Sequence, residues 1–187
     1  LYEYCLDKKS KKGIVRSLVV FGKIQSYTGK FRDSDTSYRA AIKLLEHMPK
    51  SEIPDDKVKV SILISLMENA MNLGDNNMGN EYAQKVMKEL NDMDQESEEV
   101  LSSKVQLHQK IALGLSNRSL LDSSLIHFDI AIRNAKKMED DSHLSRCYLN
   151  IGGVYLGKRE YLKAFEYWLK CKKIAVENND LRMQSTV

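Results

Sequence analysis

The side chains able to do chemistry in this 187-residue chain are few and scattered. Four histidines, His47, His108, His127 and His143, offer acid–base or metal-ligating groups. None has a partner at metal-ligand spacing on a shared helical face, and His108 falls on a packing position. Three cysteines, Cys5, Cys147 and Cys171, are an odd number at wide spacings. They make neither a disulfide framework nor the paired C-x-x-C ligands of a zinc site. They read as free, packed thiols, which favours a cytoplasmic over a periplasmic setting. The acidic run 92–99 lacks the alternating oxygens and central glycine of a calcium loop and reads as a solvated linker. Lys170, Lys172 and Lys173 crowd a helix end, where cations complement the dipole. No glycine-rich phosphate loop, G-x-S-x-G elbow or H-E-x-x-H occurs. No catalytic residue, metal or cofactor is expected, and the chain is read as a binder rather than an enzyme.

The elements that would position any binding surface follow from composition and periodicity. Hydrophobic residues make up 42% and charged residues 29%, with a formal charge of +3. That charge is too small for the concentrated basic stripe that nucleic acid requires. Apolar runs such as Leu18–Gly22 fall far short of the roughly 20 residues that cross a bilayer. Direct contact of this segment with nucleic acid or membrane is therefore not expected. Leu1 rather than Met stands first, so the segment reads as part of a longer chain. The two prolines, Pro49 and Pro54, lie in one stretch between periodic segments. Alternating strand patterns are missing, and the expected class is all-α.

One unit is clearest near the end of the chain. Tyr148, Ile151, Gly152 and Tyr155 share a helical face, then Tyr161, Ala164, Trp168 and Cys171 share a second. Gly157-Lys158-Arg159-Glu160 forms a short polar turn between them. The same frame runs through Leu18, Phe21, Gly22, Gly29, Phe31, Ser34, Tyr38 and Ala41. It recurs through Leu63, Leu66, Gly74, Gly79, Ala83 and Val86, with Tyr82 one place off the usual aromatic. A third copy carries His108, Ile111, Ala112, Leu115, Leu121, Ser124, Phe128 and Ala131. The units start at Val15, Val60, Val105 and Ser145, intervals of 45, 45 and 40 residues. Small residues at Gly22, Ala112 and Gly152 admit close helix approach, and Tyr38, Phe128 and Trp168 fill the space opposite.

This pattern resembles the tetratricopeptide repeat, with Tyr148, Ile151-Gly152 and Tyr155 on its first-helix signature. Tyr161, Ala164, Trp168 and Cys171 match its second helix, while Arg159 replaces the turn glycine and Val176 the terminal proline. The resemblance implies a right-handed superhelical solenoid of antiparallel helix pairs, a single array fragment over 1–187. Its parts are 1–12 (second helix of a preceding repeat plus connector), 13–57, 58–102, 103–142, 143–178, and 179–187 (start of a further repeat). Tyr2 and Cys5 match Trp168 and Cys171 in that preceding helix.

In such arrays the first helices line a concave groove. Carrying those positions over nominates Arg16, Val20, Lys23 and Tyr27 from the first unit and Ser65, Glu68 and Asn72 from the second. Gln106, Gln109, Lys110, Leu113 and Asn117 come from the third, and Arg146, Asn150 and Gly153 from the fourth. Cations dominate this set, so an acidic or carboxylate-bearing peptide or protein partner is expected. Residues 7–18 and 179–182 look like connectors in Bacteroidetes-type sensor and regulator proteins. That resemblance implies a sensory or regulatory segment of a larger bacterial signalling or transcription-regulatory protein. A peptide-pheromone receptor domain and a structural assembly adaptor, with or without oligomerisation, are the alternatives.

Overall fold

The computed structural model describes residues 10–53, 57–94 and 97–178. Tyr2, Cys5, Pro54, the connectors at 7–9 and 179–182, and the segment 179–187 lie outside the described residues. Among the described residues every regular element is helical. The helices are α1 (Lys11–Tyr27), α2 (Phe31–Glu46), α3 (Lys57–Asn72), α4 (Asn76–Asn91), α5 (Glu98–Asn117), α6 (Leu121–Lys137), α7 (Asp141–Gly157) and α8 (Tyr161–Glu177). A 3₁₀ turn, Lys50–Glu52, lies between α2 and α3. The chain divides into two compact units, residues 1–93 and 94–187. In the first, α1 packs on α2 and α3 on α4, with α2 against α3 joining the pairs. The second repeats this with α5 on α6, α7 on α8, and α6 against α7.

Each pair is closed by the same turn. Gly29, Gly74, Ser119 and Arg159 all take left-handed backbone, at φ 76°, 80°, 60° and 61°. The next amide in each case reaches back five residues, as in Lys30 N–H to the Gln25 carbonyl (2.8 Å) and Glu160 N–H to the Tyr155 carbonyl (2.9 Å). This is the Schellman closure, which satisfies carbonyls that the helix end leaves free. Arg159 thus keeps the turn that a glycine usually makes. Glu139 (φ 52°) uses the same device between α6 and α7, where the unit interval drops to 40 residues. Side-chain caps start α1, α4, α5 and α7: Ser10, Asp75, Ser97 and Asp140 each accept an amide three residues on.

The seams within pairs match small against large. A methyl built at Gly22 would lie under 3.0 Å from the Tyr38 ring, and one at Gly152 under 3.0 Å from the Trp168 indole. Ala112 and Phe128, both fully buried, repeat the match. Ser34 donates to the Gly22 carbonyl and Ser124 to the Ala112 carbonyl, each at 2.8 Å, so the helices are bonded where they come closest. The Trp168 indole N–H donates to the Leu149 carbonyl at 3.2 Å. The α3–α4 pair inverts the pattern: fully buried Met67 stands in the small-residue register and Ala83 in the ring register. Total side-chain volume matters at this seam more than which helix supplies it. Cys147 and Cys171 are free, buried thiols.

Two local readings need correction. Residues 92–99 are not simply a linker: Asp92 caps α4, while Glu98 and Glu99 form the first turn of α5, where carboxylates complement the dipole. Helix α8 continues to Glu177, so Lys170, Lys172 and Lys173 precede its last turn. Lys170 instead lies over the Tyr167 ring, 4.5 Å from its centroid.

Gly29→Ala or Gly74→Ala should each lower unfolding free energy by about 1 kcal/mol in urea titration. Nothing lies within 4 Å of either added methyl, so the loss would be backbone strain alone. Gly152→Ala should cost ~1–3 kcal/mol through overpacking, and Trp168→Phe in the same chain should restore part of it.

Candidate functional site

Helix α1 presents Arg16, Val20, Lys23 and Tyr27 along one stripe, at intervals of four, three and four residues. All four are exposed, Val20 by 51% and Tyr27 by 92%, and Ile24 beside them by 55%. Among the described residues of the unit, this apolar surface is not used in packing. The neighbouring first helix, α3, is tied alongside by Asn69. Its buried amide accepts from Ser26 (2.9 Å) and donates to Ser34 (2.8 Å), linking α1, α2 and α3. On α3, Asn72 is exposed and Glu68 half-buried. Ser65 is less available than its position suggested: its hydroxyl donates to the Ser61 carbonyl (3.0 Å) and meets the hydroxyl of Tyr38. Burial raises the Tyr38 pKa, so that phenol stays neutral and is part of the packing.

In the second unit, Gln106 and Asn117 on α5 and Arg146 on α7 are exposed, whereas Lys110, Leu113 and Asn150 are half-buried. Gly153 is exposed with open space around its Cα. Gln109 does not belong to the surface. It is 5% exposed, and its amide donates to the Cys147 sulfur (3.0 Å) and the His143 carbonyl (3.3 Å). A buried amide must find partners, and α7 provides them. Burial also pushes the Cys147 thiol up, which leaves it protonated and unreactive.

Sequence reasoning missed a histidine pair. His108 on α5 and His127 on α6 meet with Nδ1 atoms 2.9 Å apart and ring centroids 5.2 Å apart. The signal was in the register: the 19 residues between them also separate Tyr148 from Tyr167 and Leu63 from Tyr82. Tyr148 and Tyr167 do meet, with centroids 6.0 Å apart, and Tyr155 stacks on Tyr167 at 5.4 Å. Burial, then the charges of His127, Arg133 and Lys104, lower the His108 pKa to about 4. Burial lowers that of His127 as well. Both rings are therefore neutral at pH 7, one donating to the other, and the surrounding cations oppose a metal ion there.

No family model and no curated protein matches the chain. Solved structures do. BtubC (BKLC) from P. vanneervenii superposes with a TM-score of 0.68 at 16% identity, over 89% of this chain and 64% of that one. The apo form of RapI gives 0.70 at 17% identity, over 99% of this chain and 50% of the other. A Rap protein complexed with competence and sporulation factor gives 0.68 at 18%, over 90% and 45%. The chain thus spans about half to two thirds of the length of each. At these identities the likeness shows the fold, and the fold is a tetratricopeptide-like helical repeat.

The histidine pair sets a pH dependence. Folded pKa values below the ordinary 6.5 mean that the unfolded chain takes up protons first as pH falls. Stability should be complete above about pH 6.5 and should decline toward pH 4. Replacing the pair by the Leu63–Tyr82 combination, as His108→Leu with His127→Tyr, should flatten that decline in urea midpoints measured at pH 7 and 4.5.

Proposed function

We propose that the chain is a protein- or peptide-binding helical repeat module that acts by binding and not by catalysis. The observation that carries this reading is the α1 stripe, where exposed Val20, Ile24 and Tyr27 lie among Arg16 and Lys23. Apolar side chains held in water between cations suit an extended acidic partner with intervening apolar residues. The cations give charge-assisted hydrogen bonds, and the apolar contacts supply burial. Lys110 and Arg146 give first helices of the second unit a basic character of their own. The partner is a protein or peptide segment rather than nucleic acid, since the cations are dispersed.

The wider role we infer is a sensory or regulatory segment of a larger bacterial signalling or transcription-regulatory protein. Residues 7–18 and 179–182, with their resemblance to repeat connectors in such proteins, support it. A receptor for a short signalling peptide is the second reading. The Rap protein complexed with competence and sporulation factor, which shares the fold, favours it.

A random-peptide display selection should enrich sequences mixing Asp or Glu with aromatic or branched residues. Fluorescence anisotropy with the best peptide should show affinity reduced roughly tenfold or more by Arg16→Glu with Lys23→Glu. It should also fall steeply between 50 and 300 mM salt. Equal binding by both proteins would remove the α1 stripe from the site.

A further inference from the structure

A second surface of the first unit carries a cavity that the first-helix stripe does not include. It lies between α2, α3 and α4 and has a volume of about 520 Å³. Helix α3 contributes Lys59, Leu63 and Leu66 here, whereas Ser65, Glu68 and Asn72 belong to the stripe described above. Its deepest lining, Leu63, Leu66 and the Tyr82 ring, is apolar but covered, each 4% exposed or less. The apolar surface within reach is therefore half-buried Ile42 and the methylene stems of the wall side chains. The walls are largely cationic, with Arg39 and Lys43 from α2 and Lys85 from α4.

The register explains why space exists here. Tyr82 and Lys85 correspond to Tyr167 and Lys170 of the last pair. There, Tyr148 and Tyr155 of the first helix stack against Tyr167. In the first unit the corresponding residues are Leu63 and Ala70, and Arg39 and Lys85 lie against the Tyr82 ring instead of a second aromatic.

The charges around that space are unevenly compensated. Lys59 is held by Glu89 (2.6 Å), and Arg39 by Asp35 (2.8 Å). Glu46 is the other carboxylate on the wall. Arg39 and Lys85 both lie against the Tyr82 ring, 5.7 and 5.2 Å from its centroid. Asp35 already answers Arg39, which leaves Lys43 and Lys85 as the wall cations for a bound anion. The volume is in the range of small-ligand sites, where apolar surface supplies burial and a few charged groups fix orientation.

We propose that this cavity binds a carboxylate carried on an apolar group. The apolar part rests on Ile42 and the methylene stems around it, and the carboxylate is held by Lys43 and Lys85. The carrier is either a free medium-chain carboxylic acid or the C-terminal carboxylate of a peptide ending in leucine. The site stands independently of the α1 stripe.

The test is a ¹H–¹⁵N correlation titration of the whole chain with monomeric octanoate, and with an acetylated tetrapeptide ending in leucine. 1-Octanol and the peptide C-terminal amide are the uncharged controls. Saturable shifts confined to amides of 39–47, 59–66 and 82–89 are expected with one or both acids, and the acid that works identifies the carrier. Lys43→Glu with Lys85→Glu, both at exposed positions, should weaken that binding roughly tenfold or more. Arg16→Glu with Lys23→Glu should leave it unchanged, which separates this site from the stripe. Equal shifts with the uncharged controls, no saturable shifts, or unchanged binding in the Lys43/Lys85 variant would each overturn the proposal.

Discussion

The structure depends on how closely two helices of a pair can approach. At Gly22 and Gly152 the backbone of one helix meets the ring of Tyr38 or Trp168 with no room for a methyl group. That contact sets the spacing along the pair, and the serine hydroxyls at Ser34 and Ser124 bond the facing carbonyls where the gap is smallest. The left-handed turn residues then return the chain at a fixed angle. Neither device works alone. A tight turn without the small residue would splay the helices, and a small residue without the large ring opposite would leave a void.

A pair built this way buries one side of each helix and leaves the rest exposed, so each pair needs a neighbour. The apolar residues left on α8, among them Leu162, Phe165 and Leu169, show what one pair cannot cover by itself. Beside the small–large seam, the structure varies what fills a second seam within the pairs. The last pair uses three tyrosines, the α5–α6 pair two histidines, and the first unit a tyrosine over leucine. The scaffold is thus repeated, while its interstices differ in polarity, protonation and volume. Those differences are where individual properties reside: a pH-sensitive ring pair in one place and an open basic cavity in another.

The helical pairs, their turns and their small–large seams were legible in the sequence because they depend on local spacing. Tyr148, Gly152, Ala164 and Trp168 declare two faces within one short stretch, and Gly29 and Gly74 mark turns by residue type. Within the candidate site, Arg16, Val20, Lys23 and Tyr27 were legible for the same reason, since one helical stripe follows from the 3.6-residue period. Gln109 was misread because period assigns a side chain to a face without saying what covers that face. Tyr82 was misread as a displaced seam residue, when it belongs to a second seam with its own register.

What the sequence by itself determined is the fold: an all-helical repeat whose packing code is carried by residue size at regular intervals. Size and period act within one or two turns of helix, so they survive without any knowledge of distant contacts. Tertiary structure alone decided which polar groups would be withdrawn from water and which cations would share a ring. It joined His108 to His127, buried Gln109 against Cys147, and set Arg39 and Lys85 around Tyr82. Such pairings arise between helices: the repeat register can align two positions, but helical period assigns each side chain only to a face and not to the group that covers it.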